Sequence, residues 1–459
     1  MTNNAVDQAR GKTPFFQTLS WALWDWGTSA FSVLITTFVF ARYIVSDYFI
    51  DPDVVAAFKP RPGVTITGGF EERVYNAASS ALTANLGWAL AIGGIVVAIL
   101  APIVGQRTDQ GGRRRRWLGI NTLVVIVATL AMFFVQGTPD FFVLGLVLIT
   151  VATVFYEMAN VNYNAMLLQI STPSNIGRIS GFGWGLGYLG GIVVLVVALV
   201  GFILGDSHWF GVSEDLGLNI RYIALLAAVW SAIFAIPVLL VVPENTAVDP
   251  DAKLGIFGSY AKVFRKIASL WKNTPETFYF LMASAVFRDG LAGVFTFGGI
   301  LAGKVFGLSD TEVIFFAIAG NLVAGLGVFA GGVLDDRFSS KGVIVGSLLG
   351  LVISGSVLFL LHDGGPGVFW VCGLLLTMFV GPAQAASRTL IGHLAPEGGE
   401  GELFGLYATT GRAISFITPA LFAYFVTLGG ADYWGILGIV TVLALGLVLM
   451  IPLRPKFVR

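Results

Sequence analysis

Gly105-Gln106-Arg107-Thr108-Asp109-Gln110-Gly111-Gly112-Arg113-Arg114-Arg115-Arg116 separates two long apolar runs and ends in four consecutive arginines. Leu86 to Val104, ahead of it, is apolar apart from Pro102, and Trp117 to Val135, behind it, carries only Asn121, Thr122 and Thr129 as polar side chains. Each run has roughly the twenty residues that cross a hydrocarbon core. Four guanidinium groups cannot follow them, so the stretch reads as a short loop at a membrane face. Loops rich in Lys and Arg stay on the cytoplasmic side, which orients this loop and, by counting outward, every other span.

Composition agrees. Of 459 residues, 56% are hydrophobic and 12% charged, where soluble chains carry about 25% charged residues. This is the profile of an all-α polytopic membrane protein. The net charge of zero implies no nucleic-acid or acidic partner. The single cysteine, Cys372, excludes an intrachain disulfide framework or a cysteine metal site. His208, His362 and His393 are too scattered to form a ligand set, and no P-loop or phosphate cradle is present, so neither a metal nor a cofactor is expected. An intramembrane enzyme would need a nucleophile and base converging at membrane depth, and no such pair is visible.

Candidate spans fall at about 19–45, 78–104, 116–136, 140–163, 179–205, 221–242, 276–304, 311–333, 341–361, 366–393, 403–428 and 431–453. The organisation expected is a tail (1–18), a first six-helix bundle (19–242), a linker (243–275) and a second six-helix bundle ending in a short tail (276–459), with both termini cytoplasmic. The tail has no apolar core bounded by a cleavage site, so it is not read as a signal peptide.

A second copy of the opening stretch supports the duplication. Gly331-Gly332-Val333-Leu334-Asp335-Asp336-Arg337 lies between two apolar runs, and Gly332 to Asp336 repeats the spacing of Gly105 to Asp109 at an offset of about 225 residues. The pattern Gly105, Asp109, Gly112, Arg113, Arg114, Arg116 resembles the loop between helices 2 and 3 of the major facilitator superfamily of transporters. Arg107 and Gln110 depart from it, standing where an aliphatic residue and an arginine are usual. The resemblance implies twelve helices in two pseudo-symmetric bundles. It also makes Gly105, Asp109, Arg113, Gly332, Asp336 and Arg337 a conformational latch. Asp109 and Asp336 are placed to accept from the N-termini of the eleventh and fifth helices, whose free N–H groups favour a carboxylate.

Two connections stand out. Residues 46–76 are polar, with Pro and Gly and no sustained helical pattern, and read as an external loop, either a lid or a spacer. In the linker, Leu254, Phe257, Ala261, Phe264, Ile267 (or Ala268) and Trp271 recur near helical spacing among Lys253, Lys262, Arg265, Lys266 and Lys272, the pattern of a basic amphipathic helix on the cytoplasmic leaflet.

Ionisable residues inside the spans mark the chemistry, since each costs about 3 kcal/mol or more without a partner or water. Asp25 shares a helix face with Ser29, Ser32 and Thr36, and Arg288-Asp289 occupies the corresponding point of the second half. The fourth span of each half carries a polar stripe: Thr153, Glu157, Asn160 and Asn164 in one, Thr377, Gly381, Gln384 and Arg388 in the other. Arg412 either offers a cation to a substrate carboxylate or pairs with Glu157 or Asp289. The glycine-rich fifth and eleventh spans, with Gly181, Gly183, Gly185, Gly187, Gly190, Gly191, Gly405 and Gly411, allow close packing, static or sliding. Substrate or proton candidates are therefore Asp25, Glu157, Asn160, Asn164, Arg288, Asp289, Gln384 and Arg412, with Trp24, Trp26, Tyr163, Tyr188 and Tyr407 as cavity aromatics.

Trp24-Asp25-Trp26-Gly27-Thr28-Ser29-Ala30-Phe31, Tyr163-Asn164-Ala165, Gly177-Arg178-Ile179-Ser180-Gly181, Arg288-Asp289-Gly290, Phe297-Gly298-Gly299-Ile300, Gln384-Ala385-Ala386-Ser387-Arg388 and Phe404-Gly405-Leu406-Tyr407 look like the vacuole-effluxer-like branch of that superfamily in its bacterial form. Thr28 and Arg412 depart from the usual Asn and Lys. The resemblance implies alternating access around a central cavity, and the fungal members are associated with amino-acid efflux from the vacuole. The expectation is a proton-coupled secondary transporter of an amino acid or short peptide, acting as a monomer in a bacterial inner membrane. A carrier of a sugar or other uncharged metabolite, and a transport-dead receptor on the same fold, are the alternatives.

Overall fold

The computed structural model describes residues 15–58, 70–172, 175–203, 209–244, 256–308, 310–396, 399–429 and 431–454, and among them all regular structure is helical. The remaining parts of the two tails, of the 46–76 loop and of the linker lie outside the described residues. The spans are α1 (Phe15–Ala30, continued by a π-helix Phe31–Phe38 and by Phe40–Ile44), α2 (Phe70–Gly111), α3 (Arg114–Ala131), α4 (Phe142–Met166), α5 (Ile176–Ala198) and α6 (Leu218–Val241) in the first bundle. The second holds α7 (Pro275–Lys304), α8 (Asp310–Arg337), α9 (Ser340–Leu360), α10 (Gly365–Leu394), α11 (Glu400–Ile414 and Ile417–Gly429) and α12 (Gly435–Met450). Eleven helices among the described residues are long and apolar enough to cross a membrane. The twelfth span, α11, is interrupted near its middle.

Several boundaries differ from the sequence reading for definable reasons. The first latch stretch is not a loop from Gly105: α2 continues through Gly111 and stops at Gly112, whose φ of 59° is left-handed. In the same way Gly331 to Arg337 forms the last turns of α8. A polar run does not end a helix once the chain has left hydrocarbon, because water and headgroups satisfy its side chains. At the other end α2 begins at Phe70, so its 42 residues extend about 63 Å at the usual helical rise. The segment read as a patternless external loop thus contributes a helical extension, and it also holds a short helix, Pro52–Phe58. Tyr75 on that extension donates to Asp47 Oδ1 at 2.5 Å, which pushes the tyrosine's pKa up to about 12.

The halves meet where side chains are absent. A Cβ placed on Gly105 of α2 would lie 1.9 Å from the Gly401 carbonyl oxygen on α11. On α5 and α8, a Cβ on Gly181 would lie 2.8 Å from the Val328 oxygen, and one on Gly332 would lie 2.8 Å from the Gly177 oxygen. These crossings gather at the end of the bundle that carries the four arginines, hereafter the basic end. Backbone approaches this close gain dispersion contacts that lipid cannot match. Gly105→Ala is accordingly expected to separate α2 from α11 and weaken closure of the basic end by about 1–3 kcal/mol, seen as faster cysteine labelling at that end and a lowered thermal midpoint.

Candidate functional site

Between the halves lies a cavity of about 760 Å³ lined from α1, α4, α5, α7, α8, α9, α10, α11 and α12. Its wall begins in the middle of the spans and runs away from the basic end, along α1 from Asp25 to Phe38 and along α5 from Trp184 to Leu195. Three carboxylates (Asp25, Glu157, Asp289) and three arginines (Arg288, Arg388, Arg412) line it.

On α1, Asp25, Ser29 and Ser32 face the cavity as the α-helical spacing predicts, but the next lining hydroxyl is Thr37 rather than Thr36. The π-helical turn explains the shift. Thr37 Oγ1 donates to the Ser32 carbonyl at 2.7 Å, five residues back, and a π turn advances the facing position by one. Gly187 makes room for Asp25, since a Cβ there would lie 3.0 Å from the carboxyl carbon. Among the described residues Asp25 has no ion-pair partner.

Glu157 on α4 pairs with Arg412 on α11, a bridge between the halves on the cavity wall. Asn160 lines the cavity beside it and donates to the Tyr156 carbonyl at 3.2 Å. Asp289 is engaged otherwise. Its Oδ2 accepts from the backbone N–H of Thr418 at 2.7 Å and from the Thr418 hydroxyl at 2.8 Å. It therefore caps the second segment of α11, where the interrupted helix exposes free N–H groups. Arg288 donates to the Tyr407 carbonyl at 2.9 Å and lies 3.7 Å above the Tyr407 ring. Among the described residues no carboxylate pairs with it. Tyr188 and Gln384 line the cavity, and the Tyr407 hydroxyl bonds Ser387 at 2.6 Å.

Two of the aromatics named from sequence do not line the cavity. Trp24 is fully buried, donating to Thr122 Oγ1 at 3.0 Å and stacked 4.4 Å from Tyr163. Trp26 stacks on Trp230 of α6. Each turns toward its own bundle because it neighbours Asp25 in sequence and so points about 100° away on the helix. Tyr163 does line the cavity, held between Trp21 and Trp24.

The residue that sequence reasoning left as one member of a stripe is Arg388, 3% exposed. It donates to the Ser180 carbonyl at 2.5 Å, the Ser180 hydroxyl at 3.1 Å and Asn164 Oδ1 at 3.1 Å, crossing from α10 to α5 and α4. Trp21 and Trp184 rings lie 5.2 and 5.6 Å from its guanidinium carbon. Its place in the same stripe position as Asn164 was the available signal. Together Arg388, Asn164 and Ser180 form the floor that separates the cavity from the basic end.

Below the floor lie the residues expected from sequence to form a latch. Asp336 Oδ1 accepts from the Gly177 N–H at 2.8 Å, and Oδ2 accepts from the N–H and Nε of Arg178 at 3.2 and 2.6 Å, in the first turn of α5. The side chain of Asp109 is outside the described residues. Arg113 and Arg337 are exposed. The arginine that turns inward is Arg114, 2.8 Å from Glu400 at the start of α11; four arginines in a row give no sequence cue as to which one faces the bundle.

A family model described as vacuole effluxer Atg22 like matches residues 16–456. The chain is 24% identical over 434 residues to YxiO, an MFS-type transporter of Bacillus subtilis, covering 94% of this chain and 93% of that one. It is 24% identical over 276 residues to autophagy-related protein 22-1 of Neosartorya fischeri, covering 55% of this chain and 43% of that protein. Among solved structures, the major facilitator transporter FucP in the outward conformation superposes with a TM-score of 0.68 at 13% identity over 96% of this chain and 99% of that one. A bacterial homologue of the iron transporter ferroportin in its outward-facing state gives 0.66 at 14% identity, over 95% and 98%. At such identities these likenesses concern the fold.

Arg388→Gln is expected to remove the charge-assisted bonds at the floor, each about 1.5–3 kcal/mol, lowering the thermal midpoint and raising reactivity of a cysteine placed at Ser180. Arg388→Lys, which keeps the charge but not the planar fork, is expected to fall between the two.

Proposed function

Because the chain belongs to the vacuole effluxer Atg22-like family of major facilitator transporters, we propose that it carries a small zwitterion, an amino acid or short peptide, by alternating access coupled to protons. The observation that carries this reading is the pair of cavity charges without an ion-pair partner among the described residues: Asp25 on the first half and Arg288 on the second. Opposite signs on opposite halves suit an ammonium and a carboxylate carried on one small molecule. A plain sugar would use the amides of Asn160, Asn164 and Gln384 but would leave both charges unanswered.

The cavity also has an apolar branch. Phe316, Phe369, Leu376, Leu358, Ile439 and Val440 extend it into the second bundle between α8, α9, α10 and α12, and no residue of α3 or α6 lines it. This one-sided extension supports a substrate with an apolar group beside its charges. Arg412 is less suited to the carboxylate than the sequence alone suggested, because Glu157 already holds it.

Asp25 supports the proton role for a related reason. It can take up a proton without breaking an ion pair, whereas protonating Glu157 would cost its bridge to Arg412, and Asp289 is already engaged as the cap of Thr418. With the basic end cytoplasmic, in keeping with the positive-inside rule, the cavity faces outward from a bacterial plasma membrane and both termini are on its cytoplasmic side. The protein acts as a monomer in this reading.

Thermal-shift screening of the purified protein tests the substrate class. Stabilisation by amino acids or dipeptides, lost in Arg288→Ala and retained in a Thr36→Ala control, is expected; stabilisation by sugars alone would replace the zwitterion with an uncharged metabolite, and stabilisation by neither, with no flux in proteoliposomes, would favour a receptor. Once a substrate is known, Asp25→Asn is expected to abolish accumulation driven by a pH gradient while leaving counterflow. Retained accumulation would move coupling away from Asp25.

A further inference from the structure

The helix Ile256–Asn273 between the bundles takes no part in the cavity, and its described side chains sort onto three faces. Ile267 and Leu270 pack inward on the bundle core. Lys266, on the same side, approaches Glu402 with Nζ 3.9 Å from Oε2. Phe264, Ala268 and Trp271, at i, i+4 and i+7, form an outward apolar stripe in which Phe264 is 68% and Trp271 64% exposed. Arg265 and Lys272 are exposed along one border of that stripe, about 100° of helix rotation from Phe264 and Trp271 respectively.

An apolar stripe facing away from the protein, bordered by cations, is the geometry of a helix seated at the boundary of acyl chains and headgroups. The position agrees, because only Thr274 separates the helix from the start of α7 at Pro275, so the stripe lies at the level where the bundle leaves hydrocarbon. The charge is also complementary, since acidic lipids attract basic segments beside a membrane.

The inner face gives this seat a consequence. Glu402 stands on the first turn of α11, beside Gly401, which packs on Gly105, and two residues from Glu400, which holds Arg114. Lys266 is thus tied to the turn that closes the basic end. We propose that the helix Ile256–Asn273 docks on acidic phospholipid headgroups of the adjacent leaflet, and that these headgroups compete with Glu402 for Lys266 and so loosen closure of the basic end. The regulatory half of this inference rests on the alternating-access reading above; the docking half does not.

The full chain with Cys372→Ala, reconstituted in phosphatidylcholine nanodiscs with and without phosphatidylglycerol, tests both halves. A spin label at Ala268→Cys should be more accessible to oxygen than to a water-soluble nickel chelate, the more so with phosphatidylglycerol; accessibility to the chelate like that of an exposed loop in both discs would overturn the docking surface. For regulation, Ser180→Cys in the floor, buried while the basic end is closed, is reacted with a maleimide. Phosphatidylglycerol is expected to speed this reaction about 5-fold, the effect of one basic side chain changing partner near an anionic leaflet. Lys266→Met should remove the lipid dependence, and Arg265→Gln with Lys272→Gln should reduce it, size-exclusion profiles confirming that each variant folds. A rate that responds to Gly105→Ala but not to lipid would overturn the regulation alone. A rate that responds to neither would overturn the alternating-access reading and the regulation with it.

Discussion

An ionisable side chain at membrane depth costs about 3 kcal/mol or more unless it is paired or wet, and the interior of this bundle is arranged around six that meet the requirement differently. Glu157 and Arg412 pair with each other. Asp289 takes the N–H and hydroxyl of Thr418, Arg388 takes Ser180 and Asn164, and Arg288 takes a carbonyl and a ring from Tyr407. Asp25 has the cavity itself. Two of these solutions, Glu157 with Arg412 and Arg388 with its partners, join helices of different halves. The need to satisfy buried charge is therefore also a force holding the halves in register, and any rearrangement must supply those groups with other partners.

Glycine sets how near the halves can come for these bonds to form. The Gly105 crossing brings Glu400 within 2.8 Å of Arg114, and the Gly181 and Gly332 crossing brings Asp336 against the first turn of α5. Larger residues at those positions would hold the backbones apart and lengthen every charged contact beside them. The apolar surface and the charges thus act together: dispersion between bare backbones gives proximity, and the ion pairs give orientation.

The spans and their duplication were legible in the sequence because both depend on local pattern, a run of apolar residues and a motif repeated at fixed offset. The Gly105 and Gly332 pair was legible for the same reason. What was not legible depended on a partner remote in sequence. Asp289 reads as an intramembrane carboxylate of unassigned partner until Thr418 is seen to approach it from the interrupted α11; Pro419, which cannot donate to the Ser415 carbonyl, marks the interruption in the sequence but names no partner for it. Arg388 reads as the last member of a polar stripe until α4 and α5 are brought beside it. The choice of Arg114 over Arg113 is a matter of helix rotation relative to α11, which consecutive arginines cannot reveal. Thr37 in place of Thr36 follows from a single π turn, whose signal in sequence is no stronger than a cluster of hydroxyls able to bond their own backbone.

A ligand shifts a two-state equilibrium only by the difference in its affinity for the two states. A molecule bound by one half alone would ride on that half and leave the equilibrium unchanged. The Glu157–Arg412 bridge joins the halves through the protein's own side chains, so a substrate that leaves it intact draws no shift from it. A substrate that engages Asp25 and Arg288 together is different, since its two ends draw the halves toward each other across the cavity and the interaction strengthens as the gap narrows. Protonating Asp25 would remove one of those ends. The proposed proton and the proposed zwitterion would then compete for the same carboxylate, which is sufficient to couple them without a relay of further residues.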